Sequence, residues 1–188
     1  MTTRDIVQIA LFAALMAVLG IFPPLMIPGL GIPVTAQSMG PMLAGGILGA
    51  RRGGLSMLLF VALVAVGLPL LSGGRGGLGA LMGPWSGFIF GWVLAAFLIG
   101  WLTERFFARL GLVHSFAFSV LGGVGVVYGV GVPWFAALSG VPLLQAFSAS
   151  AVAFIPGDLV KAGVAAAVVV AVRRAYPLIR PQAPLLRR

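Results

Sequence analysis

Polar positions are so sparse along the chain that their spacing divides it. No Asp, Glu, Lys or Arg occurs in 6–50, 53–74, 76–103 or 110–157. One helical crossing of a bilayer needs about 20 mostly apolar residues. The first and last of these runs are each long enough for two crossings. Six spans are therefore predicted, at about 6–22, 36–50, 54–71, 84–103, 112–132 and 147–172. The first, "IVQIALFAALMAVLGIF", is ended by Pro23 and Pro24. It has no clear small-residue cleavage site behind it, so it reads as a retained span and not as a signal peptide. Loops are predicted at 23–35, where Pro28, Gly29 and Pro33 argue against helix, at the glycine-rich 72–83, and at 133–146, which contains Pro133 and Pro142. The pattern predicts an all-α integral membrane protein, with 1–188 as a single membrane domain.

Composition strengthens this reading. The chain is 61% hydrophobic and 8% charged, whereas soluble domains are nearer half apolar and a quarter charged. There is no cysteine, which excludes disulfides, thiolate metal sites and a cysteine nucleophile. The net charge of +9 is unevenly placed. With six spans, Arg4, Arg51, Arg52, Arg105, Arg109, Arg173, Arg174, Arg180, Arg187 and Arg188 share one side, and Arg75 alone falls on the other. This asymmetry puts both termini in the cytoplasm of a multi-pass membrane protein. It also accounts for the basic balance without nucleic acid, which is not expected as a partner.

Two charges interrupt the last apolar run. Asp158 and Lys161, in "IPGDLVKAG", stand three residues apart and so share a helix face. Asp158 precedes Arg173 by 15 residues, roughly 22 Å of helix, which sets the pair in the outer third of the sixth span. Charges at that depth cost a few kcal/mol each. One reading is a self-neutralising structural pair. The other is a polar ligand site, in which the carboxylate accepts and the ammonium donates.

Further candidates gather on the outer side. Arg75, in "GGRGG", is a guanidinium suited to a carboxylate, or else a solvated loop charge. Gln37 is a polar side chain at the mouth of the second span, either for a ligand or for a helix start with Thr35 as N-cap. Tyr128, Trp134, Trp85 and Phe88 fit pocket walls, or an interfacial aromatic belt. In the first span, Ala10 and Ala14, and Ala13 and Ala17, form small-xxx-small pairs that allow close helix approach, within the chain or to a partner.

Catalysis has little support. His114 is the sole histidine and lies on the cytoplasmic side, and Asp5, Glu104 and Asp158 are scattered. No metal-ligand cluster and no phosphate-binding loop ending in Lys-Ser/Thr is present. No enzyme activity, metal or cofactor is expected. A membrane enzyme using Asp158 as base would lack a histidine or metal at that depth. A structural subunit whose charged pair fixes helix packing is the third class.

The stretches "PVTAQSMGPMLAG" (33–45), "GLPLLSGGRGGLGALMGPWSGFIFGW" (67–92), "YGVGVPW" (128–134) and "IPGDLVKAG" (155–163) together resemble the BioY family, the biotin-specific substrate-binding (S) components of energy-coupling-factor (ECF) transporters. The resemblance covers nearly the whole chain. It implies a six-helix S-component fold in a prokaryotic cytoplasmic membrane that binds biotin with high affinity from outside, its pocket made by the outer loops and the outer ends of spans four to six. Within that pocket the chemistry of the residues leads us to expect Asp158, Lys161, Gln37, Arg75, Tyr128, Trp134 and Trp85 around the ligand. It implies that the alanine face of Ala10, Ala13, Ala14 and Ala17 meets a transmembrane coupling (T) subunit, which joins a pair of ABC-type ATPases. Another small vitamin-like solute is the alternative ligand. The chain departs from the family pattern in two places. Arg75 stands where glycine is commoner, and Gly83, Pro84, Trp85, Ser86, Gly87 and Phe88 replace the usual Gly-Pro-Thr-Gly-Gly-Tyr.

Overall fold

The computed structural model describes residues 1–27 and 32–179. Pro28 and Gly29 of the first predicted loop, and Arg180, Arg187 and Arg188 of the basic set, lie outside the described residues. Among the described residues the fold is all-α apart from one small hairpin.

Helix α1 spans Thr3–Ile21. Its start is set by a capping box: the Thr2 hydroxyl accepts from the Asp5 N–H, and the Asp5 carboxylate accepts from the Thr2 N–H. After Pro23 and Pro24 the chain forms an antiparallel hairpin, β1 (Leu25–Ile27) with β2 (Ile32–Val34), pairing Leu25 with Val34. A 3₁₀ turn, Ala36–Met39, leads into α2 (Gly40–Leu48). Thr35 holds the cap position of that turn without a side-chain capping bond.

Gly49 breaks the chain at φ +87°, and α3 (Ala50–Ala65) starts directly after it. Arg51 and Arg52 therefore lie in the first turn of α3 and do not separate two spans. The α3 N-terminus is capped from another helix, by Glu104 Oε1 accepting from the Ala50 N–H at 2.9 Å. Carboxylates are favoured at that end because unpaired N–H groups point outward there.

The glycine-rich stretch carries a short helix, α4 (Leu78–Leu81), and then α5 (Ser86–Arg105) crosses the middle of the bundle. A 3₁₀ turn, Phe107–Arg109, precedes α6 (Leu112–Val120). A π-helical segment, Leu121–Val126, runs without a break into α7 (Val127–Ser139). The last helix, α8, extends over Leu143–Ala175.

The expected loop 133–146 is thus reduced to Gly140–Pro142, because α7 passes through Pro133. A proline inside a helix removes one backbone bond, and in a membrane helix neighbouring groups offset that loss.

Among the described residues, four helices are long and apolar enough to cross a membrane: Thr3–Ile21, Ser86–Arg105, the continuous Leu112–Ser139, and Leu143–Ala175. α2 and α3 are shorter, roughly 14 and 24 Å. Every residue of α2 is buried. That burial is helped by Gly40, Ala44, Gly45 and Gly46 along α2, and the neighbouring helices carry small residues of their own, such as Gly100 of α5. A Cβ on Gly45 would stand 2.4 Å from the Ala96 carbonyl oxygen, and one on Gly100 would stand 2.3 Å from the Ala50 nitrogen. Small residues let backbones approach closely where lipid provides no hydrophobic drive between helices.

α5 packs on α2, α3 and α7, and α8 packs on α6, α2 and α7. The ends of the bundle differ in chemistry. At one end Arg4 donates to the Tyr176 hydroxyl, Arg52 binds Gln8 Oε1 and the Leu178 carbonyl, and Arg52 lies 3.6 Å from Asp5. The other end of α1 reaches the 70–75 loop, where the Ser72 hydroxyl donates to the Phe22 carbonyl.

Candidate functional site

At the end of the bundle away from the Arg4–Arg52 cluster, a cavity of about 80 Å³ opens between α5, α7, α8 and the Ala36–Met39 turn. Helical periodicity builds the walls. Phe88, Ile89 and Trp92 form one stripe of α5, and Trp85 at its N-cap extends it. Phe154, Asp158 and Lys161 form one stripe of α8 at i, i+4 and i+7. α7 contributes Tyr128.

The aromatic rings support one another. Trp85 stacks on Phe135 at 4.3 Å between centroids, and Phe88 and Phe154 meet edge to face at 5.6 Å. Phe154 also meets the Tyr128 ring edge to face at 6.2 Å. Offset and edge-to-face contacts of this kind add to the gain from burial.

Asp158 and Lys161 form the polar floor. Lys161 Nζ donates to Asp158 Oδ1 at 3.0 Å, and only 5% of the Asp158 side chain is exposed. The Tyr128 hydroxyl donates to Asp158 Oδ2 at 2.8 Å. Ser38 Oγ completes the group, 2.9 Å from Asp158 Oδ1 and 2.8 Å from Lys161 Nζ. A buried ion pair needs such additional hydrogen bonds to offset the cost of leaving water. The floor is close to neutral overall. Of the three ammonium N–H groups, Ser38 and Asp158 engage two. Asp158 Oδ2 accepts from Tyr128 and has a further lone pair. The floor therefore presents one donor and one acceptor side by side within apolar walls.

The Ala36–Met39 turn explains how two adjacent residues serve different tasks. A 3₁₀ helix has three residues per turn, so successive side chains diverge by about 120°. Ser38 faces α8. Gln37 faces α1 and the 70–72 backbone and is almost fully buried. Its Nε2 donates to the Met16 carbonyl at 3.1 Å and the Leu70 carbonyl at 2.9 Å, and its Oε1 accepts from the Ser72 N–H at 2.8 Å. Gln37 lines the cavity, but both its N–H groups are committed to the scaffold.

Arg75 lies at the rim, exposed, with Nε donating to the Ser72 carbonyl at 3.3 Å and no carboxylate partner among the described residues. The loop that carries it is closed by a bridge between Leu71 and Arg75.

Six of the expected residues thus converge: Asp158, Lys161, Gln37, Arg75, Tyr128 and Trp85. Trp134 does not line the cavity. Its ring packs on Phe90 at 5.4 Å, and its Nε1 donates to the Gly83 carbonyl at 3.2 Å. The helical course of α7 through Pro133 turns it to that face. The four alanines of α1 also divide. Ala10 and Ala14 are exposed, Ala13 is buried in the core, and Ala17 is half-buried against it.

Sequence reasoning missed Ser38 and the wall residues Ile89, Trp92 and Phe154. Phase was available for the walls. Phe154 is four residues before Asp158, and Ile89 and Trp92 continue the stripe begun by Trp85. No local signal singled out Ser38, whose partners in the floor, Asp158 and Lys161, are more than a hundred residues away in sequence.

The BioY family model matches residues 1–178. The chain is 46% identical to the biotin transporter BioY of Rhizobium etli, over 97% of this chain and 100% of that one. It is 42% identical to the biotin transporter BioY of Rhodobacter capsulatus, over 98% of each. Among solved structures, the S-component for biotin from an ECF-type ABC transporter superposes with a TM-score of 0.88 at 32% identity, covering 96% of this chain and all of that one.

Proposed function

The chain belongs to the BioY family, and from that membership we propose that it is a biotin transporter, the substrate-binding component of an ECF transporter, with biotin seated between α5, α7 and α8. It is a multi-pass membrane protein and not an enzyme. The observation that carries the site is the close-to-neutral floor of Asp158, Lys161, Ser38 and Tyr128 inside aromatic walls.

Biotin has a ureido ring with two N–H donors and one carbonyl acceptor, an apolar sulfur ring, and a valerate carboxylate. The ureido end suits the floor. Asp158 Oδ2 accepts a ureido N–H, and the third N–H of Lys161 donates to the ureido oxygen. Trp85, Phe88, Phe154 and Tyr128 hold the bicyclic ring. The carboxylate stays at the rim beside Arg75, because deeper burial would bring it against Asp158. Gln37 acts through the rim backbone, by fixing Leu70 and Ser72. Trp134 supports the α5–α7 contact from outside the cavity.

Six crossings fit the chain, the second and third being the short α2 and α3. Both termini are cytoplasmic, an orientation supported by the arginine asymmetry. The membrane is the prokaryotic cytoplasmic membrane, and the pocket opens on its outer side. The exposed Ala10 and Ala14 of α1 face a T subunit joined to a pair of ABC-type ATPases.

Ligand-dependent thermal unfolding of the purified protein tests the substrate. Biotin at about 1,000 times its dissociation constant stabilises the folded state by about 4 kcal/mol. Mass spectrometry of the copurified small molecule then distinguishes biotin from another vitamin-like solute. Recovery of a different solute, with no shift from biotin, contradicts the reading.

A further inference from the structure

Resting on the reading of this cavity as the biotin site, we propose that Ser38 is a positioning residue that sets ureido selectivity by fixing the Lys161 ammonium against Asp158. Asp158 Oδ1, Ser38 Oγ and Lys161 Nζ form a closed triangle with sides of 2.9, 2.8 and 3.0 Å. Ser38 has one hydroxyl proton and two acceptors in reach, Asp158 Oδ1 at 2.9 Å and the Thr35 carbonyl at 3.4 Å. The carboxylate is nearer and charged, so it takes the proton, since charge-assisted hydrogen bonds are shorter and stronger than neutral ones. The Ser38 lone pairs are then left to receive Lys161.

Lysine ends in a compact charge on a flexible four-carbon stem. A contact to Asp158 alone, on the same helix, leaves the ammonium free to swivel around one oxygen. The second contact, to a residue on a separate element, fixes its direction. Two of its N–H bonds lie in the triangle, and the third faces the cavity. The hydroxyl also occupies Oδ1, which leaves Oδ2 as the oxygen available to a ligand. In this way Ser38 turns a mobile ion pair into an ordered donor–acceptor edge that requires an acceptor oxygen opposite Lys161.

Equilibrium binding of biotin and of 2-iminobiotin to wild-type protein, Ser38→Ala and Ser38→Thr tests this. In 2-iminobiotin the ureido oxygen is replaced by a nitrogen that is protonated at neutral pH and offers Lys161 no acceptor. Loss of a hydrogen bond to a charged group predicts that Ser38→Ala weakens biotin by about tenfold or more. The affinity for 2-iminobiotin changes much less, so the selectivity between the two ligands falls by a similar factor. Ser38→Thr keeps the hydroxyl and restores both affinity and selectivity. If Ser38→Ala does not fold, Ser38→Cys, with only weak donor and acceptor capacity, carries the same expectation. Unchanged biotin affinity, or equal losses for both ligands, would overturn the role of Ser38. A wild-type protein that binds no biotin would overturn the underlying assignment of the cavity, and the role of Ser38 with it.

Discussion

Gln37 Oε1 accepts the Ser72 N–H at 2.8 Å, and through this bond a buried amide holds the rim of the pocket. The same amide binds the carbonyls of Met16 in α1 and Leu70 in the loop. One side chain thus ties the pocket-side end of α1, the Ala36–Met39 turn and the loop that carries Arg75.

Gln37→Ala takes away the donor to the Leu70 carbonyl and the acceptor of the Ser72 N–H, whereas the Met16 carbonyl keeps its bond within α1. Each unsatisfied buried group costs about 1–3 kcal/mol. The expected outcome is a lower melting temperature of the unliganded protein, read by thermal unfolding in detergent. Gln37→Glu keeps an acceptor for Ser72 but faces two carbonyls with a carboxylate, so it destabilises more. An unchanged melting temperature in both variants would show that Gln37 does not hold the rim.

The two small-residue pairs of α1 predict opposite phenotypes. Ala13 is 2% exposed, and Ala13→Leu overpacks the core, a change costing typically 1–3 kcal/mol. Ala10 and Ala14 are exposed. Ala10→Leu and Ala14→Leu therefore leave melting and biotin binding as in the wild type while weakening copurification with the T subunit. Full complex assembly by the double variant would remove this face as the docking surface.

Arg75 is expected to read only the ligand carboxylate. Its exposure places the contact in a highly screened setting, where ion pairs contribute about 0–1 kcal/mol. Arg75→Ala should weaken biotin up to about fivefold, a ratio of roughly 1 kcal/mol, and leave biotin methyl ester unaffected. Calorimetry with both ligands measures this. Equal losses for acid and ester would move Arg75 from carboxylate recognition to loop packing.

Asp158 and Lys161 were legible because charge in an apolar run is costly, and the arginine distribution gave their depth. Their partners were less legible. Ser38 meets them only through the long-range packing of the Ala36–Met39 turn on α8. Gln37 was visible as a polar residue at the right end, but not as one whose N–H groups are already spent on backbone. Trp134 was misplaced because Pro133 read as a loop residue, whereas α7 absorbs it and presents Trp134 to Phe90. The division of α2 from α3 was set two residues late, at Arg51 and Arg52. The break is Gly49, the residue that adopts φ +87°, a conformation glycine adopts at little cost.

Binding of the ureido ring by the Asp158–Lys161 pair is tested most directly by equilibrium biotin binding to purified Asp158→Asn and Lys161→Ala. Asp158→Asn keeps the shape but gives up the charge that Tyr128, Ser38 and Lys161 complement. Lys161→Ala leaves the carboxylate buried without its cation. Removing one partner of a desolvated, hydrogen-bonded charge pair in a binding site costs 2–5 kcal/mol or more. Both variants are therefore expected to lose biotin affinity by about thirtyfold or more, since each 1.4 kcal/mol is tenfold. Near-wild-type affinity in both variants, with both folded, would contradict the account.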